Sequence, residues 1–188
     1  MTAGRGRSWA SSETGDVSGR WRLDRLGGPN TILADKVCIE RGIFILFGRD
    51  TTIRNLTFSG AHGQFHNSAG ILGEGTNLTV ENSRFLNNEN GVLVGGDSTS
   101  RVRILHSVFI GNGSCEGFCA HGVYAGSSIA QLDVEFCRFL DTRTAHHVKS
   151  RARETIVANN TIADGESGTS SYLIDIPNGG DVLIRDNK

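Results

Sequence analysis

Asn77-Leu78-Thr79-Val80-Glu81-Asn82-Ser83-Arg84-Phe85 is the phrase from which this chain is built. It sets an apolar residue at Val80, an Asn two positions on and a Phe three beyond that. The phrase returns as Ile53, Asn55, Phe58; as Ile104, His106, Phe109; as Val134, Phe136, Phe139; and as Val157, Asn159, Ile162. By subtraction, the closing residues Phe58, Phe85, Phe109, Phe139 and Ile162 are spaced 27, 24, 30 and 23 residues apart. A last copy, Ile184-Arg185-Asp186-Asn187, would place its closing residue one position beyond Lys188. Self-similarity at a period of roughly 20–50 residues marks a solenoid.

A second phrase lies between copies of the first: Gly70-Ile71-Leu72-Gly73, Gly91-Val92-Leu93-Val94, Gly122-Val123-Tyr124-Ala125, His147-Val148-Lys149-Ser150 and Leu173-Ile174-Asp175-Ile176. Gly42-Ile43-Phe44-Ile45 reads as its earliest member. Two short β-branched phrases per repeat, divided by Gly, Asn and Asp, describe coils of strand and turn. No window holds an apolar pattern at helical spacing over two turns, which argues against helical repeats. Coils stacked ~4.8 Å apart form long parallel sheets, each coil burying its inward residues on its neighbours. The expected fold is all-β, a parallel β-helix of about six coils. Burying about four apolar side chains per coil, at ~1.5–3 kcal/mol each, offsets the entropy of ordering it.

Composition agrees with one such domain of 188 residues. The 25 Gly and 2 Pro suit tight turns rather than a Pro-rich linker. A net charge of −1, from 19 basic and 20 acidic residues, gives no basic excess for nucleic acid. No run of ~20 apolar residues could span a membrane as a helix.

Residues 1–20 read as a Gly/Ser/Arg-rich disordered lead and residues 21–188 as the β-helix. The lead lacks the apolar segment of a secretory signal, so either the protein is cytosolic or the start belongs to a fragment or a misplaced start codon. The chain stops inside a repeat phrase with no visible cap, which favours truncation at the C-terminus and allows association through an open last coil. Trp21–Glu40 reads as the first coil, with strands at Thr31–Leu33 and Lys36–Ile39 and a turn at Gly27–Asn30. Cys38 and Cys137 lie in strand phrases and read as small core residues. Cys115 and Cys119, in the insertion Gly111–His121, read as a loop disulfide or free thiols; a metal site with His121 would lack a fourth ligand. His62 and His66, in the loop Ser59–Ser68, read as solvated. The recurring Asn55, Asn82 and Asn159 read as an interrupted amide ladder, structural in role.

The combined pattern, from about Thr31 to Lys188, resembles the right-handed parallel β-helix proteins of the pectate-lyase-like superfamily. More narrowly, Ala69-Gly70-Ile71, Tyr124, His147-Val148-Lys149-Ser150-Arg151-Ala152 and Tyr172–Gly180 resemble a bacterial family of right-handed β-helix repeat proteins with no settled activity. That resemblance implies an export signal, hence an extracytoplasmic place, and further coils, and this chain departs on both counts. The superfamily includes lyases of acidic polysaccharides, in which a Lys-Ser pair opens a strand and the Lys acts as base. Lys149-Ser150 resembles that pair, and Asn159-Asn160-Thr161 follows at a similar distance. Those lyases supply an Arg from the next coil, and the matching stretch Ser170–Asn178 holds none. The residues call for no cofactor and no metal; the resemblance alone would admit calcium.

Strand alternation sets Ile71, Val92, Val123, Val148 and Ile174 inward and Leu72, Leu93, Tyr124, Lys149 and Asp175 outward. By the same alternation His147 and Arg151 flank Lys149 on the outward face. Lys149 is the candidate base, and Tyr124, His147, Arg151, Asp175 and Asn178 are the candidate substrate-binding residues. Read functionally, they form a groove for an acidic polysaccharide or oligosaccharide, with an aromatic for the sugar face and cations for a uronate carboxylate. The plainer reading is a surface ion-pair ladder in which Asp175 neutralises Lys149 and Arg151. Charges ~5 Å apart attract by roughly 3 kcal/mol at an effective dielectric of ~20, yet exposed pairs net only ~0–1 kcal/mol. His121 and His146, at coil corners, either bond turn backbone or belong to the site. A groove beside Tyr124 and Lys149 walled by Gly111–His121 would favour ligand binding; a flat sheet would favour a structural or adhesion solenoid.

Overall fold

The computed structural model describes the strand Arg20–Asp24 at backbone level and residues 31–188 in full; the lead and the turn at Gly27–Asn30 lie outside the described residues. Nineteen strands cycle through three sheets of seven, six and six strands, each strand pairing in parallel with its counterparts one coil away. No helix is present among the described residues. The result is an all-β parallel solenoid of about six coils.

Each coil holds three strands, where the sequence suggested two. The coil around the opening phrase runs Thr76–Glu81, Arg84–Leu86 and Asn90–Val94. The first phrase thus splits at Asn82-Ser83. Among the described residues, the one at this corner has positive φ in six successive coils: Asn55 58°, Asn82 48°, His106 49°, Phe136 55°, Asn159 58° and Asp186 54°. Asn and Asp tolerate the left-handed region better than most residues, which accounts for the recurring Asn. Their side chains do not build the ladder. It runs one residue later, inside the wall. Ser83 Oγ accepts from Leu56 N–H (3.4 Å), Ser107 Oγ from Ser83 N–H (3.2 Å), Cys137 Sγ from Ser107 N–H (3.5 Å) and Asn160 Oδ1 from Cys137 N–H (2.8 Å). Asn187 Oδ1 closes it on Asn160 N–H (3.0 Å). These bonds satisfy buried corner amides that no strand partner reaches.

Three inward columns make up much of the core. Ile53, Val80, Ile104, Val134, Val157 and Ile184 are register partners along the first sheet. Phe58, Phe85, Phe109 and Phe139 stack along the second, their rings nearly parallel and 5.2, 4.7 and 4.6 Å apart. Ile71, Val92, Val123, Val148 and Ile174 form the third. In the earliest coil the column residue is Phe44, the partner of Ile71, one place later than the phrase Gly42-Ile43 suggests. Its ring meets Phe58 edge-on at 5.2 Å, filling the end of the aromatic stack.

Two expectations for the first coil fail. Lys36–Ile39 forms no strand: the chain bends at Asp35 and turns at Ile39-Glu40, with positive φ at Asp35 (59°), Ile39 (44°) and Glu40 (58°). Cys38 bridges Gly42 there and is exposed, not a core residue. Cys137 is buried, and burial pushes its thiol up to about 12. An alkylating reagent should therefore label Cys38 in the native protein and Cys137 only on unfolding. Cys137→Ser should keep the ladder, whereas Cys137→Val, which strands the Ser107 amide, should cost about 1–3 kcal/mol in a denaturant titration. Val123→Asp buries a carboxylate without a partner and should cost about 4 kcal/mol or more. A Val123→Asp melt within a degree or two of wild type by circular dichroism would contradict this register.

Candidate functional site

The outward row of the third sheet is assembled by register. Leu72, Leu93, Tyr124, Lys149 and Asp175 are partners on successive coils. Lys149 Nζ lies 3.1 Å from Asp175 Oδ2 and 5.8 Å from the centroid of the Tyr124 ring. The Lys149 side chain is only 15% exposed, so the pair is largely covered rather than solvated. Arg151 donates to Asn178 Oδ1 at 2.6 Å. Five of the six residues singled out from sequence, Tyr124, Lys149, Arg151, Asp175 and Asn178, thus make three contacts across adjacent coils: Tyr124 with Lys149, Lys149 with Asp175, and Arg151 with Asn178.

His147 is the sixth, and its expected outward position is wrong. It shares the register of Gly91 and Gly122, at which a Cβ points toward the core: one built on Gly91 would lie 2.8 Å from the Phe109 ring. Here the chain leaves a corner with Thr144 and Ala145 at positive φ (53° and 56°), and strand alternation begins only at Val148. The His147 ring is fully buried, its edge toward Phe139. Its nitrogens bond Thr142 Oγ1 and Asp164 Oδ1, each at 2.8 Å. His147 braces two turns from behind the sheet.

His146 faces the row instead. Its Nδ1 lies 3.4 Å from Asp175 Oδ2, so Asp175 is shared by His146 and Lys149. The rings of His121 and His146 stack at 4.8 Å, and Tyr172 continues the stack at 5.3 Å. His121 also meets Tyr124 edge-on at 5.2 Å. Neither imidazole bonds turn backbone, and each keeps a buried Nδ1 without a hydrogen bond. The residues immediately before the second phrase in successive coils, Asn90, His121, His146 and Tyr172, would have revealed this column in the sequence.

The insertion Gly111–His121 does wall a cleft, but not beside Tyr124. The cleft, about 630 Å³, opens between that insertion and the loop Ser59–Ser68, over Glu89 and Arg143. Cys115 and Cys119 are joined in a disulfide within its wall, which takes both thiols out of the metal alternative. His62 and His66 are half exposed, yet both direct Nδ1 toward the buried Glu89, at 3.8 and 3.5 Å. Among the described residues no group of three or more His, Cys, Asp and Glu is placed to hold a metal ion.

Burial pushes His121 down to about 3, with His146 and Lys149 adding to the effect. Burial also lowers His146 and His147, partly countered by Asp175 and Asp164 respectively. Each is depressed in the fold, so the unfolded chain binds more protons below an unfolded value of ~6.5. Stability should therefore fall as pH drops from about 6.5 toward the folded values. His121 alone should account for about 2 kcal/mol by pH 5. His121→Asn, which copies Asn90 from the preceding coil, should flatten the acid limb of a melting-temperature profile; an unchanged limb would contradict the assignment.

The family model described as right handed beta helix region matches residues 30–139, more than half of the chain. No curated protein and no solved structure matches it. The matched span includes Tyr124 and most of the cleft but ends before Lys149. The matched repeat and the three stacked parallel sheets place the chain in the right-handed β-helix family.

Proposed function

We propose that this β-helix binds carbohydrate bearing carboxylates along the outer face of its third sheet, and that it does so without cleaving it. The observation that carries the reading is the row Tyr124–Lys149–Asp175 on consecutive coils, with Arg151 and Asn178 joined beside it. An aromatic ring offers a sugar its apolar face, and a lysine and an arginine offer a uronate its counter-charges. The likeness of His147–Ala152 to the bacterial β-helix repeat family, and of Lys149-Ser150 to polysaccharide lyases, supports the substrate class. It does not extend to the chemistry. Lys149 donates its ammonium to Asp175, the stretch Ser170–Asn178 has no Arg, and Ser150 is buried against Thr155 Oγ1 at 2.7 Å. The disulfide in the cleft wall supports an oxidising compartment.

The contact at 3.1 Å, together with a cleft that the Gly111–His121 insertion walls elsewhere than beside Tyr124, favours a second reading, a structural or adhesion solenoid in which Lys149 and Asp175 only neutralise each other. Titration calorimetry with uronate oligomers separates the two. If the row binds sugar, wild type shows saturable binding, Lys149→Ala abolishes it, and Asp175→Asn tightens it by removing a competing carboxylate. Lys149→Ala leaves the largely covered Asp175 with His146 as its remaining partner and should cost about 1–3 kcal/mol whether or not sugar binds. If the pair is only a ladder, no oligomer binds, and both substitutions cost stability. No unsaturated product absorbing in the near ultraviolet should form; its appearance, and its loss in Lys149→Ala, would overturn the non-catalytic part.

A further inference from the structure

The two longest insertions leave the same corner of the solenoid, between the second and third strands of their coils. Ser59–Ser68 links Thr57–Ser59 to Ala69–Gly73, and Gly111–His121 links Val108–Ile110 to the strand Val123–Ala125. The coil between them makes the same connection in three residues, Asn87-Asn88-Glu89. Two tall loops thus flank one short turn, and Glu89 lies at the floor of the resulting cleft.

Glu89 is an unusual floor residue. Its side chain is 3% exposed, and a buried carboxylate is costly unless its oxygens are well bonded. Oε2 is: it accepts from Ser68 N–H at 2.6 Å. Oε1 is not. It has a single long bond from Gly63 N–H, 3.3 Å, and two imidazoles at 3.5 and 3.8 Å, beyond ordinary hydrogen-bond reach. His62 and His66 themselves line the cleft, so the under-bonded oxygen is the one on the cleft side. Across the opening, His66 Nε2 lies 3.6 Å from Glu116 of the disulfide loop.

The charge is one-sided. Glu40, Glu89 and Glu116 line the cleft against a single guanidinium, Arg143, which is already held by Asn87 Oδ1 at 2.6 Å. Two large aromatics stand in the solvent next to lining residues: Phe65, 64% exposed, between Gln64 and His66, and Phe118, 72% exposed, inside the disulfide loop. Neither ring lines the cleft floor or packs into the core, so both are open to a ligand that extends past the opening. A volume of about 630 Å³ suits a small ligand rather than a protein surface.

We propose that this cleft is a second carbohydrate site, selective for a sugar that carries a free amine. The ammonium supplies the charged donor that Glu89 Oε1 lacks, with Glu116 as its second counter-charge. The aromatic residues at the two loops receive the apolar faces of neighbouring rings. This assignment does not depend on the row at Lys149, which has the opposite charge preference.

The test is titration calorimetry of the whole chain with the glucosamine trimer, its fully N-acetylated counterpart, and trilysine. Saturable binding of the glucosamine trimer is expected, with at least a tenfold loss on N-acetylation. Glu116→Gln and Phe118→Ala, both at exposed positions, should each weaken it several-fold, and a saturating uronate oligomer should not displace it. Absence of saturable binding, equal binding of the acetylated trimer, indifference to both substitutions, or trilysine binding as tightly as the sugar would each overturn the proposal. Binding of uronate oligomers alone would leave the Lys149 row standing and remove this cleft; binding of the amine trimer alone would do the reverse.

Discussion

Parallel backbone hydrogen bonds hold successive coils about 4.8 Å apart, and the stacked side-chain columns repeat at that spacing. The Phe rings repeat at 4.6–5.2 Å, His121 and His146 at 4.8 Å, His106 and Phe136 at 5.0 Å. A side chain in such a wall does not choose its neighbour. It meets whatever stands at the same position one coil away, and like charges there would repel. The ion pairs on strands follow this rule. Arg54 with Glu81, Arg103 with Asp133 and Lys149 with Asp175 are all direct register partners. Opposite charges facing each other between coils are therefore a common way to fill a register pair, although Glu154 and Asp181 face each other with like charge, and a paired Lys149 is not by itself a sign of a ligand. What exceeds such pairing is the company the pair keeps: Tyr124 below Lys149, and the Arg151–Asn178 contact beside Asp175.

The same constraint explains what could be read from the sequence. Because one position per strand must be apolar in every coil, the Val80, Phe85 and Val92 columns stood out, and with them the outward row. Three-residue strands such as Arg84–Leu86 are too short to show alternation of their own, so the second sheet was absorbed into the first phrase. The ladder was read one residue early. Asn82 and its counterparts are conspicuous because the corner needs positive φ, while the residues that bond, Ser83, Ser107, Cys137 and Asn160, share only a small polar or sulfur-bearing side chain. His147 was misplaced because alternation was extended back across a corner where the backbone no longer obeys it.

The cleft was illegible for a different reason. Periodicity reports what repeats, and insertions are what does not. Glu89 has nothing in its local sequence to distinguish it from any other turn carboxylate. Its burial follows from the lengths of the connections one coil before and one coil after its own. The spacings of 27 and 30 residues between closing Phe residues, against 24 for the coil between them, already contain that information. They become a cleft only once both insertions are known to leave the same corner.

The column Asn90, His121, His146, Tyr172 shows what the later coils give up. Asn90 meets every demand of its position: its amide bonds Asn67, and its Oδ1 accepts the His121 N–H at 2.8 Å. Replacing that amide with imidazoles leaves the buried Nδ1 of His121 without a hydrogen bond, at a cost on the order of 1–3 kcal/mol, and leaves that of His146 with only the Asp175 carboxylate at 3.4 Å. A wall selected for stability alone would have continued the asparagine. The imidazoles bring instead a flat aromatic stack running to Tyr172, with Tyr124 edge-on at one end and Asp175 within 3.4 Å. They surround the one outward row that carries an aromatic, a cation and a carboxylate in succession. The departure from the repeat and the proposed binding row occupy the same coils, so the hydrogen bonding given up by the wall falls beside the place where the proposal puts the ligand.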